Sequence, residues 1–171
     1  MIEFTAFPSV YDNKTHRRFS FKDWDAFKAA LFNMSKKPGY KPRKGEKSNL
    51  KPSPLITPAV YEKDTTRANA NVIKWASWCA LDIDEYDTTF EEAIKQFNDY
   101  EYVCYSTASS TKEKPKFRIV FKLNKDVENE KIKHFWYALN KEFNSIGDPQ
   151  TKDLSRMYYI PAKYPNAYNF C

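Results

Sequence analysis

Apolar and polar residues alternate at the amino end of the chain, with Ile2, Phe4 and Ala6 in phase, which is the period of a strand with one buried face. Ser20 and Asp23 then stand ahead of Trp24, Phe27, Leu31 and Phe32, so a capped helix is predicted there. Residues 35–54 break both periods. They are Pro-rich and carry Lys36, Lys37, Lys41, Arg43, Lys44, Lys47 and Lys51 against one acid, Glu46, which predicts a mobile basic loop.

From Trp78 the pattern becomes regular. Strands are predicted at residues 78–84, 102–106, 116–123 and 156–160. A helix capped by Thr88 or Thr89 runs to about Asn98, and a second starts at Asp126 and carries Val127, Ile132, Phe135, Trp136, Leu139 and Phe143. The order βαββαβ is that of the ferredoxin-like or RRM-like α+β unit, in which two helices cover one sheet face and the other stays free. The expected organisation is one domain over residues 1–171. Residues 1–77 form a flanking strand, helix and loop element, and residues 78–171 form the core.

Strand parity divides the chemistry between the two faces. Cys79, Leu81 and Ile83 form one set, and Ala80, Asp82 and Asp84 the other. In the third core strand Phe117, Ile119 and Phe121 point inward and Lys116, Arg118 and Lys122 outward. In the usual strand order the first and third strands are neighbours, so the two carboxylates should lie beside Lys116 and Arg118 on an open face. Paired carboxylates suit Mg²⁺ or Mn²⁺, because hard cations take oxygen ligands and keep positions free for substrate phosphates. The bland alternative is a solvated strand end leading into a turn.

Composition narrows the partners. Lys and Arg outnumber Asp and Glu by 28 to 22, and aromatic residues form 17% of the chain, a combination that tracks and stacks single-stranded nucleic acid but also fits an aromatic core. In the loop, Lys41, Arg43, Lys44 and Lys47 are candidate DNA-backbone contacts or a solvated linker. Cys79, Cys104 and Cys171 are too widely spaced for a zinc site, and a reducing cytoplasm with no membrane span is expected. Neither a P-loop nor a G-x-G-x-x-G stretch occurs, so an ATPase engine must lie outside this chain.

Three segments in order, WCALDIDEYD, YSTASSTKEKPKFRIVFKL and GDPQTKDLSRMYYIPAKY, resemble the archaeo-eukaryotic primases. Within them they are most similar to the primase-polymerase domains of phage and plasmid replication proteins. The resemblance covers roughly the last hundred residues. It implies a nucleotidyltransferase, a DNA primase or DNA polymerase, with Asp82, Asp84 and Asp148 holding Mg²⁺ or Mn²⁺. Ser106, Lys116, Arg118 and Arg156 would bind the nucleoside triphosphate. Asp153 is the rival to Asp148 as third acid. The implied partners are a single-stranded DNA template and a helicase module, in trans or in a longer chain from which the ending NAYNFC looks cut.

One position departs from the family. Ala108 stands where its second motif carries His, and Ser110 stands where related sequences often carry another. The second reading is therefore a weak or inactive primase-like domain that serves as a single-strand or origin DNA-binding platform, with Trp75, Tyr105 or Tyr158 stacking bases. A nuclease using Asp82, Asp84 and Lys116 is a third. A rolling-circle nicking enzyme ranks last, because His16 and His134 cannot form its His-x-His pair.

Overall fold

A computed structural model describes residues 1–171. Ten strands and three helices follow one another as β1 (Ile2–Phe7), β2 (Arg18–Phe21), α1 (Trp24–Ser35), β3 (Leu55–Thr57), β4 (Ala59–Tyr61), β5 (Val72–Trp75), β6 (Trp78–Ile83), α2 (Phe90–Lys95), β7 (Tyr102–Ser106), β8 (Phe117–Lys122), β9 (Val127–Glu128), α3 (Asn129–Glu142) and β10 (Tyr158–Tyr159). The fold is α+β. Its three sheets run in the orders β10-β3-β1-β2, β4-β5-β9 and β6-β8-β7. No helix is long and apolar enough to cross a membrane.

The central sheet β6-β8-β7 is antiparallel throughout, so the first, third and second core strands lie in the order of the split βαβ unit. The fourth core strand departs from that order. Tyr158 and Tyr159 pair with Ile56 and Leu55 of β3, which places β10 in the amino-terminal sheet.

Parity operates as expected on the helical side. Cys79, Leu81, Ile83, Phe117, Ile119 and Phe121 pack with Ala93 and Phe97 from the α2 region and with Ile132, Trp136 and Phe143 from the α3 region. The opposite face is not open. Trp78, Ala80, Val103, Tyr105 and Val120 pack under Ile2, Phe4, Trp24, Phe27, Leu31 and Tyr158, forming a second core across that face. Every residue of β6 is buried, as expected of a strand covered on both sides. At about 1.5–3 kcal/mol for each large apolar side chain withdrawn from water, this second layer is integral to stability.

Local chemistry sets the helix ends. Asp23 accepts from the Ala26 amide at 2.9 Å and caps α1. Thr89 and Glu92 form a reciprocal capping box on α2. α3 starts three residues later than the pattern suggests, because Asp126 accepts from Ser77 Oγ at 2.6 Å and from Lys74 Nζ. These bonds hold the chain against β5, where Val127 and Glu128 pair as β9. The basic segment has no regular structure, but its base is clamped. Gly39 N–H donates to Lys163 O at 2.9 Å and Ser53 N–H to Tyr40 O at 2.8 Å.

Candidate functional site

The polar residues of the central sheet gather at one end, where β6 finishes at Ile83 and β8 begins at Phe117. Asp82 lies directly opposite Arg118 in the β6–β8 register, and Tyr105 lies on Arg118's other side in β7. Arg118 Nε donates to Asp82 Oδ1 and Nη2 to Oδ2 at 3.0 Å, a bidentate fork. Nη1 donates to Tyr105 Oη at 3.1 Å and to Tyr159 O at 2.8 Å. The guanidinium also sits 4.6 Å from the Tyr158 ring centre. Burial opposes the charge on Arg118, but the Asp82 carboxylate outweighs it and the guanidinium is held charged. Four of its five N–H groups therefore serve protein acceptors, which makes Arg118 chiefly the residue that orients Asp82.

The Asp148 loop is docked onto the same strand end by the backbone. Asp148 N–H donates to Asp82 O at 2.8 Å. Ahead of it, Gly147 N–H donates to the buried Asn140 Oδ1 of α3 at 2.7 Å. Asp148 Oδ1 accepts from the Gln150 amide at 2.9 Å and so caps the 3₁₀ turn over Pro149–Lys152. Asp148 thus takes the turn-forming role common to an Asp that precedes Pro, and it still lines the site.

Asp82, Asp84, Asp148 and Asp153 all line one cavity of about 360 Å³, together with Lys41, Arg67, Arg118 and Arg156. The carboxyl of Asp84 is held above the usual carboxylate range, first by burial, then by the charge of Asp82 and, more weakly, of Asp148; Lys116 and Arg118 act in the opposite sense. The acids supply oxygen donors of the type a hard divalent cation takes, but no three of them are drawn together into a formed ligand set. Arg118 uses one lone pair on each Asp82 oxygen and leaves a second on each, so Asp82 can still contribute beside Asp84 and Asp148.

Other residues singled out from the sequence lie elsewhere. Ser106 is buried; its Oγ accepts from Phe170 N–H at 2.9 Å and donates to Phe170 O at 3.3 Å. Lys116 faces Glu85, with Nζ 3.9 Å from its carboxylate. Ala108 lines a neighbouring groove of about 580 Å³ with Lys41, Arg43, Lys44 and Tyr164, while Thr107 and Ser109 on either side of it line the acid cavity. Lys47 lines neither space. Ser110 is buried and accepts from the Lys116 amide at 3.0 Å.

The proposed stacking residues need correction. Trp75, Tyr105 and Tyr158 are all buried, their rings taken up by core packing and their polar atoms bonded to Leu154 O, Tyr159 O and Ala80 O respectively. His134 is exposed on α3, as its helical position suggests, and Trp136 and Phe143 are core.

Residue Arg67 was not legible as part of the site. It comes from the β4–β5 connection and reaches the cavity only because its turn is fastened to distant chain: Arg67 N–H donates to Asn13 O at 2.8 Å, and Asn69 Oδ1 accepts from Ser155 N at 3.0 Å and Oγ at 2.6 Å. No local spacing carries that information.

Residues 60–170 match the family model described as the VapE N-terminal domain. No curated protein matches the chain, and no solved structure matches it.

Proposed function

The chain belongs to the VapE N-terminal domain family, a family of replication-associated proteins of mobile elements, and on that premise we propose that it is a metal-dependent nucleotidyltransferase, a DNA primase-polymerase acting on a single-stranded template. The observation that carries this reading is the gathering of Asp82, Asp84 and Asp148 in one cavity with Arg67, Arg156 and Lys41, while Arg118 is spent on holding Asp82. Acids and guanidinium groups in one pocket meet the two needs of phosphoryl chemistry, a seat for a divalent cation and donors for phosphate oxygens.

Asp84 and Asp148 supply oxygens not engaged by a cationic side chain, and Asp82 is oriented by Arg118. A bound Mg²⁺ or Mn²⁺ would supply charge to neutralise phosphate oxygens and favour ionisation of an attacking hydroxyl. Arg156 is suited to forked contact with phosphate. In this reading the groove that shares Lys41 and Ser109 with the cavity and is lined by Arg43 and Lys44 would hold the strand.

A specific observation favours a second reading, a DNA- or nucleotide-binding platform without synthesis. The Asp82 carboxylate is already neutralised by a buried partner, and Ala108 replaces the imidazole of related motifs. Labelled-nucleotide incorporation on single-stranded DNA with Mg²⁺ or Mn²⁺, with and without an annealed primer, separates the two. Synthesis lost in both Asp84→Asn and Asp148→Asn supports the enzyme. No synthesis by the unaltered chain, with DNA binding indifferent to both substitutions and to chelator, supports the platform.

A further inference from the structure

Besides Lys41, two arginines of the cavity stand apart from its acids. Arg67 and Arg156 both line it, and the Nε of each is buried without an acceptor in the protein. Neither guanidinium forms an ion pair with any carboxylate, although Asp82, Asp84, Asp148 and Asp153 line the same space. Arg156 Nη1 has only a long contact to Gln150 O at 3.4 Å, and Arg67 rests 5.8 Å from the Phe7 ring centre. Each side chain is half-buried with its Nε closed off, so the forked Nη ends are what it offers to the cavity, and two guanidiniums that line one space without a carboxylate partner suit an external anion.

The two are held together by construction. Asn69, two residues after Arg67, accepts twice from Ser155, the residue before Arg156. That latch fixes the β4–β5 turn against the approach to β10 and brings both guanidiniums to one cavity. A polyphosphate spreads its oxygens over several phosphoryl groups and so offers acceptors to each of the two, and phosphate oxygens match the forked guanidinium geometry.

We infer that Arg67, paired with Arg156 through the Asn69–Ser155 latch, is a phosphate-binding residue of this cavity. The inference rests on the nucleotidyl-transfer reading for its ligand, a polyphosphate lying between the acids and the two arginines. Nucleoside triphosphate and the backbone of a DNA strand present the same oxyanion, and the two arms of the test distinguish them.

The affinity of the whole chain for deoxyadenosine triphosphate with Mg²⁺ is measured by calorimetry, and that for a fluorescent single-stranded oligonucleotide by anisotropy. Both are repeated for Arg67→Gln, Arg67→Lys and, as a charge control, Lys131→Gln on the exposed side of α3. Loss of one charge-assisted contact weakens binding on the order of tenfold to a hundredfold. That loss in the nucleotide arm assigns Arg67 to the triphosphate, and in the oligonucleotide arm to the strand, with Lys131→Gln near the unaltered affinity in both. Arg67→Lys keeps charge and stem but not the fork, and falls between; it serves as the test if Arg67→Gln does not melt cooperatively. Unchanged affinity of a folded Arg67 variant in both arms overturns the inference. Synthesis by the unaltered chain with unchanged Arg67→Gln affinity rejects Arg67 alone. Binding lost in Arg67→Gln, with no synthesis by the unaltered chain, rejects only the polymerase.

Discussion

Replacing Asp82 by Ala is expected to unfold the protein more readily before it says anything about chemistry. Asp82 is 7% exposed and Arg118 6%, and the two are joined by a fork. Removing one member of such a buried pair leaves an uncompensated charge and costs about 3–5 kcal/mol. Arg118 would keep Tyr105 Oη, Tyr159 O and the face of Tyr158, which places the loss near the lower end, about 3 kcal/mol. At about 2–4 °C per kcal/mol for a chain of this size, the melting temperature falls by roughly 6–12 °C. Circular dichroism melts and urea titrations of Asp82→Ala, Arg118→Met and the double variant measure it. The double variant should lose less than the sum of the singles, because it removes both charges. A melting point within about 2 °C of the unaltered chain, or losses that simply add, would refute the reasoning. Because of this coupling, activity lost in Asp82→Ala is weak evidence for metal binding, and Asp84 is the better probe.

Asp84→Asn is expected to raise the melting temperature at pH 7.5 in chelator. The folded-state pKa of Asp84 is raised, first by burial and then by Asp82 and Asp148, so its ionised form costs stability above that pKa and the cost fades as pH falls through it. The advantage of Asn should therefore shrink in acid, and a pH-independent advantage, or none, contradicts the assignment. A Cβ at Gly39 would meet the Ala162 Cβ at 2.5 Å, so Gly39→Ala should cost about 1–3 kcal/mol in urea titration and loosen the base of the basic loop. If Lys41, Arg43 and Lys44 each contact a strand, their triple Gln variant lowers the slope of log affinity against log salt by about 2 for single-stranded DNA. An unchanged slope removes the groove from the DNA path.

What could be read along the chain was what depends on near neighbours. The alternation in WCALDI and FRIVFK put Asp82 and Arg118 on one face of neighbouring strands and set Cys79, Leu81 and Ile83 toward the helices, while the exact register of Asp82 against Arg118 came only with the fold. The same letters held a warning about the other face, since Trp78, Ala80, Val120, Val103 and Tyr105 are apolar on the side expected to be free. Continuous burial of both parities is the mark of a strand covered twice. β3, β4 and β5 are three or four residues long, too short for periodicity to announce. Arg67 and the Asn69–Ser155 latch depend on contacts made 86 residues apart in sequence. α3 began late for a similar reason, since the partners that draw Asp126 away, Ser77 and Lys74, lie about fifty residues upstream.

The pairing of β10 with β3 also constrains how the chain comes to be folded during synthesis. Leu55 and Ile56 meet Tyr159 and Tyr158, about a hundred residues further on, so the edge of β3 has no partner when it leaves the ribosome. At about 5–20 residues per second that edge waits roughly 5–20 s, an open strand beside an incomplete second core. Ile56 and Tyr158 close that core in the same step that delivers Arg156 to the cavity. A nascent chain stopped short of residue 158 would therefore expose both a pairing edge and a hydrophobic surface, and would be a client for chaperones until β10 arrived.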